Sequence, residues 1–226
     1  MKHYRSSIPK RARECVLATH LSGPQKYLAE YRLNGKVVGF RHFDRDGEIQ
    51  SERPVKDGLT HGTQYFFDAG TVAFSEPYKK GLAHGTVRQY SEEGELIGTY
   101  SMIRGTGIDL WRHKTNWGTG PSVFLSEARY LKDGMFHGFE WWLNEDQNTV
   151  NHECHFMRDR KHGIERMWTD GGRLKRGYPK YWIDNRKVTK RRYLREMKRD
   201  LTLPSFRDAD NRTKRTFPPE IRKHLT

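Results

Sequence analysis

Stretches rich in Tyr, Phe, Trp, Val and Leu, at 63–67, 86–90, 123–130, 139–143 and 164–168, alternate with short segments carrying Asp, Glu and Gly. Paired apolar runs separated by a glycine-bearing turn are the pattern of antiparallel hairpins. A helix would need apolar residues at three-to-four spacing over ten or more positions. Glycine recurs too often for that, at a cost of about 1 kcal/mol for each interior helical position. The pattern therefore predicts strands. Because a lone hairpin is barely stable, each must lean on the next.

The hairpins repeat. Gly35, Gly58 and Gly81 stand 23 residues apart and Gly105 follows after 24, a fixed period of the kind that marks a repeat array. His61-Gly62, His84-Gly85, His137-Gly138 and His162-Gly163 each open an aromatic run. Gly39 holds the position of Gly62 without a histidine before it, so the histidine is dispensable. Residues 105–133 read as a degenerate unit with Gly107, Trp111 and a long turn through Gly118, Gly120 and Pro121, and six units fit in all. Gly62, Gly85, Gly138 and Gly163 are the structural glycines of the repeat, placed where φ is positive or neighbouring backbones approach closely.

The order Asn/Asp-Gly, a variable pair, His-Gly, an aromatic, a glycine turn, an aliphatic, Glu and then Tyr-Lys-x-Gly resembles the MORN repeat, in the variant found in bacterial toxin–antitoxin antitoxin components. The resemblance covers roughly residues 27–188. It implies an elongated single-layer antiparallel sheet of repeated hairpins, used for scaffolding, self-association or protein partners, with acidic lipids as an older claim. It leaves the degenerate unit, the turn at 145–150 and the last forty residues unexplained.

Composition agrees with an extended all-β sheet: 34% hydrophobic residues and a mean hydropathy of −0.97 are lean for a compact globule. No apolar run reaches the ~18 residues of a membrane span, and Cys15 and Cys154 form no disulfide framework, so a reducing cytoplasmic location is expected. The formal charge of +14 is uneven: residues 1–13 hold five Lys/Arg and no acid, and residues 161–226 hold twenty against eight. Three segments follow: a basic 1–26, the hairpin array 27–188, and a C-terminal 189–226.

In that last segment Thr189 reads as the N-cap of a helix from Lys190 to about Asp200. Tyr193, Leu194, Met197 and Leu201 share its apolar face, while Lys190, Arg191, Arg192, Arg195, Lys198 and Arg199 form a cationic face suited to nucleic acid or an acidic membrane. Residues 204–226 read as an extended strap along the sheet edge, capping the last repeat. The aromatics Tyr65, Phe66, Phe67, Trp141, Trp142 and Trp168 are the candidate protein-binding set, because Tyr and Trp dominate contact energetics at interfaces. Successive strand residues point to opposite faces, so neighbours such as Trp141 and Trp142 divide between the two. The C-terminal segment can cover one face; on the other, the sheet either buries its own rings in a groove or leaves them to a partner.

Several chemistries have no support. There is no phosphate-binding GxxxxGK[ST] loop, no GxSxG and no HExxH. The histidine row supplies one ligand per unit, and His152-Glu153-Cys154-His155 cannot converge on one ion from adjacent strand positions. No catalytic residue, metal or cofactor is expected. Two functions fit: a non-enzymatic interaction module for a protein partner or a second copy, and a polyanion binder working through the basic helix and tail.

Overall fold

The computed structural model describes residues 3–114 and 123–225. Strands make up 55% of the protein and helix 7%, which makes it all-β, and its eighteen strands among the described residues run antiparallel to their partners. The chain divides into two compact units, Met1–Gly105 and Thr106–Thr226. The turn residues Gly118, Gly120 and Pro121 lie outside the described residues.

In the first unit β1 (Arg13–Thr19), β2 (Lys26–Leu33), β3 (Lys36–Phe43) and β4 (Ile49–Lys56) pair each with the next. β5 (Leu59–Thr60) and β6 (Gly62–Asp68) return along β4, and β7 (Thr71–Lys79) pairs with β6. β8 (Leu82–Ala83) and β9 (Gly85–Tyr90) return along β7, and β10 (Leu96–Ile103) completes the unit. The second unit repeats the plan with β11 (Thr106–Lys114), β12 (Val123–Lys132), β13 (Met135–Leu143) and β14 (Val150–Met157). It continues through β15 (Arg160–Lys161), β16 (Gly163–Met167), β17 (Lys180–Ile183) and β18 (Arg186–Val188). Two helices follow, α1 (Lys190–Glu196) and α2 (Pro219–Arg222).

Local chemistry sets the register. At Asp57-Gly58 both residues have positive φ, 53° and 77°. That pair of values makes a two-residue type I′ turn, whose twist suits the flanking strands. Asn34-Gly35, Lys80-Gly81, Arg104-Gly105 and Asp133-Gly134 share the geometry. The alternate turns are longer. Between β3 and β4, Asp44 Oδ1 accepts the N–H groups of Asp46 and Glu48 and holds the bend.

Each unit has one face covered by a segment from outside the array. Across the first lie residues 3–12: Ile8 packs with Ala29, Tyr31 and Phe43, and Tyr4 stands edge-on to Tyr65 and Phe67. Burying Ile8 contributes roughly 2 kcal/mol. Across the second lies the segment after β18. Tyr193 and Leu203 pack with Ile164 and Tyr181, and Phe217 meets Trp141 edge-on at 5.6 Å.

The C-terminal segment departs from the sequence reading in three ways. Thr189 is the N-cap, its hydroxyl accepting the Arg192 N–H, but α1 stops at Glu196 and Met197 is its C-cap. Asp200 Oδ1 instead accepts the Thr202 N–H, which turns the chain and leaves Leu201 94% exposed, off the apolar face it was expected to join. The strap beyond Pro204 lies over the sheet face, bridging through Lys214 to Thr149 at the start of β14, and it is not fully extended, since it contains α2.

Candidate functional site

The His-Gly signature is a bracket between successive hairpins. The Lys80 N–H, in a type I′ turn, donates to His61 Nδ1 at 3.4 Å, and the next residue, Gly81, donates to Thr60 O at 2.9 Å. Arg104 N–H and His84 Nδ1 repeat the contact at 3.2 Å, and Asp184 N–H and His162 Nδ1 at 3.3 Å. An accepting Nδ1 requires the neutral Nε2–H tautomer, and in His162 that nitrogen lies 3.0 Å from the Thr202 hydroxyl. In the degenerate unit Thr106 stands before Gly107, and its Oγ1 accepts the Asp133 N–H at 3.1 Å. Threonine thus does there what histidine does elsewhere.

The glycine that follows is required twice over. Gly85 has φ of +126°, and a Cβ there would come 2.9 Å from Pro77 Cγ. At Gly163 a Cβ would come 2.7 Å from His155 Cβ and 2.9 Å from Pro204 of the strap, and Gly62 and Gly138 are crowded by Pro54 and Tyr130. Gly39, in the copy without histidine, makes room for the other covering segment, since a Cβ would meet Ile8 Cδ1 at 2.4 Å.

Beneath each covering segment sits a buried glutamate at the same place in the repeat. Glu52 pairs in register with Tyr65 and Glu153 with Arg166, and both partners are the third residue after their repeat glycine. Glu52, 0% exposed, accepts from the Tyr4 hydroxyl, the Ser6 hydroxyl, the Ser7 N–H and the Arg41 guanidinium. Burial, with Glu52 alongside, pushes the Tyr4 hydroxyl up to about 12. Glu153 accepts from Trp141 Nε1 at 2.7 Å, from Arg166 Nη1, and from Arg215 Nε of the strap at 2.9 Å. Burial pushes its carboxyl up, and the charges and hydrogen bonds of Arg215 and Arg166 more than reverse that, holding it below the usual carboxylate range. Sequence reading marked a recurrent Glu as part of the repeat but not as an anchor for these segments.

These segments divide the candidate aromatics. Tyr65 and Phe67 lie under Tyr4; Trp141, 8% exposed, lies under Phe217; and Trp168, 2% exposed, donates its Nε1–H to Asn211 O. Tyr65, Trp141 and Trp168 are therefore internal and Phe67 is partly buried. Phe66 and Trp142 alternate to the open faces, where they are 41% and 48% exposed. Trp141 and Trp142 do separate to opposite faces.

The open face of the second unit is held in place by charge. Trp111 Nε1 donates to Asp109 Oδ2 at 3.0 Å and Trp182 Nε1 to Glu165 Oε2 at 2.8 Å, while His152 stands edge-on to Trp142. Arg129 reaches Asp109 Oδ2 at 3.2 Å and stacks over Trp111. Next to it, burial, Glu140 and Asp109 push the Glu127 carboxyl up to about 7 against the opposing pull of Arg129. Trp111 and Trp182 share the open side of their strands with Trp142; neither was among the candidate contact residues read from the sequence.

Lys190, Arg191, Arg192, Arg195, Lys198 and Arg199 are all exposed on and after α1. Lys190 Nζ sits 4.0 Å over the Phe206 ring and Arg195 pairs with Glu196. Among the described residues no three His, Cys, Asp or Glu side chains gather as a cation site would need. No described helix is long and apolar enough to cross a membrane. No protein-family model matches the chain, and no curated protein matches it. The fold and these contacts define a class: an all-β hairpin-repeat protein in which each unit has one face clasped by its own chain and one face open.

Proposed function

We propose that the protein is a non-enzymatic interaction module that binds a protein partner, or a second copy of itself, through the open faces of its sheets. One observation carries this: Phe66 and Trp142 are 41% and 48% exposed there, while the aromatics on the opposite faces are covered by residues 3–12 and 203–221. Large exposed rings give desolvated contact area at little entropic cost, the feature that concentrates energy at interfaces. The MORN-like repeat supports such a use, and an antitoxin-type protein with a toxin as partner is its most particular form. Capture of partners from nuclease-treated lysate tests it. Phe66→Ala or Trp142→Ala should remove a partner that the parent retains, with the melting temperature nearly unchanged. Trp141→Ala should lower the melting temperature instead. If both open-face variants retain every partner of the parent, the open faces are not the contact surface.

A second reading rests on the six exposed cations of α1 and the residues after it. A fixed row of exposed Lys and Arg beside a neutral sheet suits nucleic acid or an acidic membrane surface.

A further inference from the structure

Between the covered face of the second unit and the strap lies a cavity of about 570 Å³, within the range of small-ligand sites. Its floor is the stacked pair Phe139 and Trp141, ring centroids 5.2 Å apart and 8° from parallel. Its wall holds two arginines for one carboxylate. Glu153 is shared by Arg166 and Arg215, all three side chains being 10% exposed or less. The remaining donors of Arg215 go to backbone carbonyls, which carry no neutralising charge. Arg166 Nε goes to Asn211 Oδ1, and its Nη2 is buried with no hydrogen-bond partner among the described residues. At the mouth, Asp210 lies 3.5 Å from Arg207, and Lys214 adds a further exposed cation. A desolvated wall with one positive charge in excess and an orphaned donor is costly unless an anion completes it.

We propose that this cavity binds a small planar organic anion, its ring against Phe139 and Trp141 and its carboxylate or phosphate group facing the Arg166–Arg215 pair with Lys214 and Arg207 at the entrance. The ring and the charge are both needed. Aromatic floor alone favours neutral rings, and cations alone favour any salt anion. This site is separate from the exposed cations of α1 and from the open faces, so it stands or falls independently of the partner reading.

Phenyl phosphate carries both features; inorganic phosphate and phenol carry one each. Titrating each into the full-length protein at constant ionic strength, with the six Trp indole N–H resonances followed by heteronuclear NMR and Trp141 assigned through Trp141→Phe, reads the site directly. Phenyl phosphate should shift the Trp141 resonance saturably, with a Kd of about millimolar, the range a ligand of that size reaches. Phosphate and phenol should bind at least about tenfold more weakly. The double variant Arg207→Ser, Lys214→Ser lies at the exposed rim and should keep the other indole resonances in place while weakening phenyl phosphate about tenfold, the scale of a lost charge-assisted contact. The proposal is overturned by a Trp141 resonance that does not saturate, by phenyl phosphate binding no better than phosphate, or by a double variant that binds as the parent does.

Discussion

An imidazole whose task is to accept one turn N–H can be replaced by any side chain that brings an acceptor to the same place, and Thr106 is the replacement already present. His84→Ala should therefore cost about 1 kcal/mol, the net worth of one hydrogen bond, and His84→Thr less; urea midpoints of the two variants check the order. The glycine beside it has no such substitute. Gly85→Val meets a positive φ and the Pro77 ring together and should cost about 3 kcal/mol, against under about 1 for Thr60→Val. Equal melting temperatures for those two would remove the backbone argument. Glu127 gives a pH signature. Its native carboxyl titrates at about 7 because of burial and Glu140, whereas the unfolded chain releases that proton near the ordinary value of about 4.3. A raised native pKa gives stability that is complete below the unfolded pKa and is lost as pH rises through about 7. Glu127→Gln should therefore gain on the parent in melting temperature between pH 5 and pH 8, and a pH-independent difference would contradict the linkage. At this scale the sequence was informative about glycine, because φ is a property of one residue. It was silent on the acceptor role of histidine, which depends on a turn 19 residues away.

The strands and their I′ turns were legible because their causes are local: two turn residues and an alternating run define a hairpin. The covering segments were only half legible. Residues 204–226 were expected at an edge, and residues 3–12 had no assigned place, because what holds them is a glutamate more than 40 positions away in sequence. The helix was anticipated from its cap, and its early end came from Asp200 folding back on Thr202, a competition that apolar spacing does not register. The expected consequence is large effects from single anchors. Glu52→Ala takes the buried carboxylate away from the partly exposed Arg41 and from Tyr4 together, and removing one member of an ion pair costs up to about 3–5 kcal/mol where both partners are buried. Tyr4→Phe removes one hydrogen bond, about 1 kcal/mol. Hydrogen exchange should show β4 and β6 loosening in Glu52→Ala far more than in Tyr4→Phe; similar protection in both would mean that residues 3–12 are held by packing alone.

Over the whole molecule, charge and fold are separable. The six cations on and after α1 are exposed, while Tyr193, on the helix's other side, is completely buried. Reversing Lys190, Arg191, Arg192, Arg195, Lys198 and Arg199 to Glu should leave the melting temperature within a few degrees of the parent. Any affinity for RNA, DNA or acidic vesicles should fall steeply, and should already weaken in the parent as salt rises, because each neutralised phosphate releases counterions. Retained affinity in the reversed protein would mean that the basic helix and tail only cap the sheet and that polyanions are held elsewhere, and unfolding would show that the cations support the sheet.

The two covering segments also differ in time. Residues 3–12 leave the ribosome before the strands they clasp, so Tyr4, Ser6 and Ser7 wait for Glu52 to arrive. In the second unit the order is reversed: Glu153, Arg166 and Trp141 are made first and stay uncovered until Arg215 and Phe217 follow. During synthesis the first unit can close as it is made, whereas the second passes through an interval with its aromatic floor bare. That interval is when a nascent chain is most exposed to chaperones and to its neighbours on the same message.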